Sequence, residues 1–99
     1  MKLFDYECVT TFWEDFSIAD RFGADAISDT YNRAFTEWKS NFIYLTELVM
    51  VLNHKLWYWY EKGNQEYAEL YNIFWDETAQ YAERNLKDEQ LQYYFRITD

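Results

Sequence analysis

His54 is the only histidine in the chain, and Glu47 and Glu61 lie two helical turns to either side of it, close to the same face of a helix. A carboxylate orienting an imidazole would make His54 a general base. A lone histidine one turn from Met50 and from Tyr58 is more simply a polar ring anchoring a helix contact. Cys8 has no histidine or cationic cluster near it in sequence to lower its pKa, and reads as an inert thiol. Glu14, Asp15, Asp25 and Asp29 are a conceivable magnesium set, yet carboxylates at this density usually line solvated faces. A di-metal carboxylate bundle would need paired Glu-x-x-His motifs on facing helices, and the sequence has none. It also contains no phosphate-cradling glycine loop and no G-x-S-x-G. These residues assign no catalytic, cofactor-binding or metal-binding position, and the expectation is a protein that is not an enzyme.

The charge balance narrows the partners. Nine Lys and Arg against 18 Asp and Glu leave a net charge of -9, which repels phosphate backbones and anionic headgroups. Direct nucleic-acid binding is therefore disfavoured. The longest strongly apolar stretch, Phe42 to Leu52, is interrupted by Thr46 and Glu47 and is too short to span a bilayer. With one cysteine there is no internal disulfide, and "MKLFDYECVT" lacks the features of a signal peptide, so a cytoplasmic location is expected.

The elements that would hold these residues are helical. A content of 49% hydrophobic and 23% aromatic residues in 99 positions is ample for a core, and the chain reads as one acidic domain spanning 1–99. Proline is absent, and the only glycines, Gly23 and Gly63, stand where helical periodicity stops. In the first part, Thr11 and Glu14 of "TFWE" form a capping box that would start a helix near Phe12, preceded by a short extended arm in "KLFDYEC". In the last part, Tyr67, Leu70, Tyr71, Phe74, Trp75, Thr78, Tyr81 and Ala82 form one stripe of an amphipathic helix over 64–86. The closing "KDEQLQYYFRITD" is compatible with a helical turn or an extended tail. Between the glycines, Tyr31, Phe35, Trp38, Phe42, Leu45, Val49, Leu52, Leu56 and Trp59 alternate spacings of four and three. The simplest reading is one long helix over about 24–62, and a break at Ser40-Asn41 is its competitor. The predicted fold is an all-α bundle built on that central helix.

Two surfaces follow. Beyond Phe42 the central helix is apolar on further faces: Tyr44, Leu48, Val51 and Tyr58 make a second row, and Ile43, Met50 and Trp57 a third. The flanking helices can cover only part of this, so Tyr44, Leu48, Val51, Trp57 and Tyr58 are expected to meet a second copy or another protein. Opposite the stripe of the last helix, Glu66, Glu69, Asp76, Glu77 and Glu83 form an acidic face. Such a face solubilises, or imitates a nucleic-acid backbone for a basic groove of another protein. Arg84 and Lys87 interrupt it near its end.

The stretch "FWEDFSIADRFGADAISDTYNRAFTEW", followed by "YLTELVMVLNHKLW" and "YYFRITD", resembles a family of small uncharacterised proteins carried on phages and conjugative elements of gut Firmicutes. The resemblance spans most of the chain and implies a bacterial mobile-element accessory protein, with no activity or site to carry over. The expected function is a non-enzymatic, self-associating interaction module; for a mobile-element protein the alternative is an acidic nucleic-acid mimic that inhibits a host restriction or CRISPR effector.

Overall fold

Two asparagines and two glycines fix where most of the helices begin and end. The computed structural model describes residues 6–98, with side chains from residue 12 onward. Within that span the chain is helical and no strand occurs: α1 is Tyr6–Asp20, α2 Ala24–Trp38, α3 Phe42–Glu61, α4 Gln65–Asn85 and α5 Glu89–Thr98. The all-α bundle expected from the periodicity is the fold. At the α3–α4 corner, Gly63 takes φ +83° and its amide donates to the Tyr60 carbonyl, while the Asn64 amide reaches back to the Trp59 carbonyl at 3.0 Å. This paired closure of the last turn favours a residue without Cβ at position 63. The Asn64 side chain then caps α4 by accepting from the Tyr67 amide at 3.1 Å.

The continuous 24–62 helix does not form. Lys39, Ser40 and Asn41 separate α2 from α3, and the Asn41 side chain accepts from the amides of Ile43 and Tyr44 at 3.1 and 3.2 Å. Size explains the break: 39 helical residues at 1.5 Å each would reach about 58 Å. The longest dimension of the molecule is 37 Å. Folding back at Asn41 lets Tyr31 stack on Phe74 of α4, with ring centroids 4.2 Å apart and planes 10° apart, while its hydroxyl shares a 2.8 Å hydrogen bond with Thr78. The connection leaves Trp38 and Phe42 four positions apart, so the four-three spacing runs through the turn without a slip.

Two further expectations are corrected at the ends. Because α1 begins at Tyr6, Thr11 and Glu14 lie inside it rather than at its start, since the capping-box pattern also fits a helix interior. Of the proposed extended arm, Tyr6 to Cys8 are helical, and the remainder lies outside the described residues. The closing segment is helical, entered at Asp88 with φ +54°.

All four other helices touch α3. One cluster of buried residues joins Phe12 and Phe16 of α1, Ile27 and Tyr31 of α2, Leu48, Val51 and Leu52 of α3, and Tyr71 and Phe74 of α4. A second joins Leu45 and Val49 to Ala82, Leu86 and Tyr94. Leu48 and Val51, expected to face a partner, are therefore 0% and 1% exposed inside the chain's own core.

Asn41→Ala and Asn64→Ala should each lower stability by about 1 kcal/mol in urea unfolding. Were residue 41 inside a continuous helix, alanine would instead raise stability, because it is the better helix former.

Candidate functional site

The most elaborate side-chain arrangement centres on a residue pair absent from the sequence-level candidates. Lys55 lies in the second half of α3 and is 2% exposed; Asp20, the last residue of α1, has a side chain 6% exposed. The Lys55 ammonium donates to Asp20 Oδ2 and to Ser17 Oγ, both at 2.8 Å. It also lies 4.1 Å from the centroid of Trp13 and 5.4 Å from that of Tyr58. Asp20 accepts in addition from Trp59 Nε1 at 3.1 Å and from the Tyr71 hydroxyl at 2.5 Å. The Tyr67 hydroxyl donates to the Asp20 backbone carbonyl at 3.1 Å, one of the carbonyls that a helix end leaves unpaired. A carboxylate at a helix C-terminus opposes the helix dipole, and the ammonium placed there reverses the unfavourable sign.

This network also divides the rings of "KLWYWYEKG". Trp59 turns inward to Asp20, and Tyr58 meets Trp13 edge-on with centroids 6.1 Å apart. Trp57 and Tyr60 point outward, 54% and 65% exposed, and pack edge to face against each other at 5.5 Å; Tyr58 remains 39% exposed. The last turns of α3 thus present an aromatic surface on a rigid base. Of the expected row, Trp57 and Tyr58 belong to this surface, Tyr44 is half-buried against Trp38, and Leu48 and Val51 are in the core. Tyr60 joins the surface and was not among the expected residues.

The chemistry-bearing residues are placed as follows. His54 and Glu61 are exposed on α3, whereas Glu47 is 0% exposed, so histidine and Glu47 occupy different environments. Glu47 adds to the burial that raises the pKa of Tyr93 on α5. Glu14, Asp15, Asp25 and Asp29 are all exposed, and among the described residues no group of three or more His, Cys, Asp or Glu could hold a metal ion. The Cys8 side chain lies outside the described residues. Lys55, enclosed by Asp20, Ser17 and two rings, offers no amine to a carbonyl substrate. On α4, Glu66, Glu69, Asp76, Glu77 and Glu83 are all exposed, with Gln65 and Gln80 donating to Glu69 and Asp76. Among the described residues no helix is long and apolar enough to cross a membrane.

One signal in the sequence pointed to Lys55: it stands three residues after Leu52 and four before Trp59, both on the apolar seam, where a buried ammonium demands a carboxylate. Nothing in the sequence said which of 18 acids would supply it. Comparison with models of protein families, with curated proteins and with solved structures yields no match.

Asp20→Asn should cost about 3–5 kcal/mol, since it strands a buried ammonium, and adding Lys55→Met should recover part of that loss. Burial, then the hydrogen bond from its hydroxyl to Asp20, hold the Tyr71 pKa far above the ordinary phenol value. A raised folded-state pKa means that this contribution is intact below about pH 10 and is lost above it, at up to about 1.4 kcal/mol per pH unit. Alkaline unfolding followed by circular dichroism should be less steep in Tyr71→Phe.

Proposed function

We propose that this chain is a non-enzymatic protein-interaction module of a bacterial mobile element, self-associating through the aromatic end of α3. The observation that carries the reading is the exposed trio Trp57, Tyr58 and Tyr60. Trp and Tyr are the residue types that dominate interface energetics, and rings already braced against one another lose little entropy on binding. Trp57 and Tyr60 are braced by their mutual contact, and Tyr58 by Trp13, Lys55 and Lys62. The mobile-element assignment rests on the sequence resemblance.

A second reading, an acidic nucleic-acid mimic acting on a basic groove, draws on the exposure of all five α4 carboxylates. From residue 66 to residue 83 the helix rises about 25 Å, or roughly 5 Å per charge. Duplex DNA carries a charge about every 1.7 Å, which makes α4 a sparse imitation and places this reading second.

Sedimentation equilibrium should show concentration-dependent association. Trp57→Glu and Tyr60→Glu should each weaken it on the order of tenfold or more, with helicity retained. A monomer at every concentration would refute the first reading. For the second, Glu66→Lys with Glu69→Lys and Asp76→Lys should abolish a salt-sensitive interaction with a basic effector; an interaction indifferent to both salt and reversal removes it.

A further inference from the structure

A cleft of about 420 Å³ opens between α3, α4 and α5. Its volume lies in the range of small-molecule sites, roughly 300–1,000 Å³. Trp75, Tyr94 and Phe95 give it aromatic walls, with Tyr94 buried, Trp75 half-buried and Phe95 40% exposed. Asp76 and Glu83 of α4 and His54 of α3 also line it; Arg84 reaches the lining only through Gln80, to whose Oε1 it donates at 3.2 Å, and among the described residues no ion pair neutralises Asp76 or Glu83. Gln80, also in the lining, donates to Asp76 Oδ2 at 2.9 Å, which orients that carboxylate and leaves most of its acceptor capacity free.

This lining selects by charge and shape together. The lining is negative on a molecule whose net charge is already -9, so an anion is repelled. A bare metal ion is also a poor fit, because His54, Asp76 and Glu83 do not converge closely enough to form a chelating group. Aromatic faces attract cations through the ring quadrupole, and the carboxylates add charge-assisted hydrogen bonds. We infer that the cleft binds a small organic cation, an ammonium or guanidinium group on an apolar body, with the charged end at the Asp76 or the Glu83 carboxylate, two helical turns apart, and the body against Phe95 and Trp75. The lining includes none of Trp57, Tyr58 and Tyr60, although His54 stands one turn from the first two.

The test uses three probes that share a 2-phenylethyl body: 2-phenylethylammonium, neutral 2-phenylethanol and anionic 3-phenylpropionate. Because His54 is the only histidine, its imidazole resonances report occupancy without further assignment. Expected is a saturable His54 shift with the ammonium, and a weaker response or none with the other two. Asp76→Asn with Glu83→Gln, isosteric changes at exposed positions, should weaken the ammonium about tenfold or more. Circular dichroism and sedimentation of the variant should match the wild type, which separates loss of this site from loss of the fold or of self-association. No saturable shift with the ammonium, equal binding of the alcohol, or undiminished binding by the double variant would each overturn the inference.

Discussion

The Asp20–Lys55 pair constrains everything else. Removing two charges from water costs several kcal/mol per ion, and a well-packed apolar pair of similar volume would often be as stable or more so. What the pair supplies is placement. Displacing α1 along α3 by one turn, about 5.4 Å, would leave both charges buried and apart, a far larger penalty than the same slip between apolar surfaces. The pair also reaches α4, because Tyr71 and Tyr67 donate to the side chain and carbonyl of Asp20. Three helices are therefore referred to a single carboxylate, and Phe16 packing edge-on to Tyr71 at 5.6 Å continues that junction into the core.

With α1 and α4 located in this way, α3 becomes the centre of a small molecule rather than the spine of an elongated one. A single long helix would have held the Tyr31–Trp38 stripe in line with α3 and kept it from folding back beside α4. Ending α2 at Trp38 and restarting at Asn41 places Tyr31 and Phe35 against α4, where Tyr31 stacks on Phe74 and Phe35 meets Tyr81 edge-on at 5.1 Å. The energetic cost of the turn is small, since the Asn41 side chain caps the new helix. Each half of the stripe then finds a partner within the chain.

The sequence's legibility followed the range of the interaction involved. Local signals were readable: Gly63 as a helix stop, the α4 stripe from Tyr67 to Ala82, and the all-helical class. The break at Asn41 was visible only as a competitor, because asparagine caps helices but also occurs inside them, and the four-three spacing passes through it unchanged. Leu48 and Val51 read as a partner surface because, with 24–62 taken as one helix, α2 could not be counted as a neighbour of α3, and because packing by α1 on that part of α3 is not deducible from periodicity. The Asp20–Lys55 network, which joins residues 35 apart, was invisible to any pattern with a helical period. The acidic face was legible in full, as solvated positions depend on nothing beyond their own helix.

The four consecutive rings of α3 now have separate explanations. A helix advances about 100° per residue, so residues 57 to 60 point in four directions, and no single core receives all of them. Trp59 is claimed by Asp20, and Tyr58 is held between Trp13 and the cations of Lys55 and Lys62. Trp57 and Tyr60 are left exposed by the described residues. Neither the buried pair nor the core clusters need them, because Leu48, Val51, Leu52 and Lys55 already complete the packing of α3. Two large rings that the fold does not use, fixed edge to face on a helix anchored by a buried ion pair, are costly in exposed apolar area for a monomer. That cost is removed when a second surface covers them, and the rigidity of their base means that little ordering remains to oppose the contact.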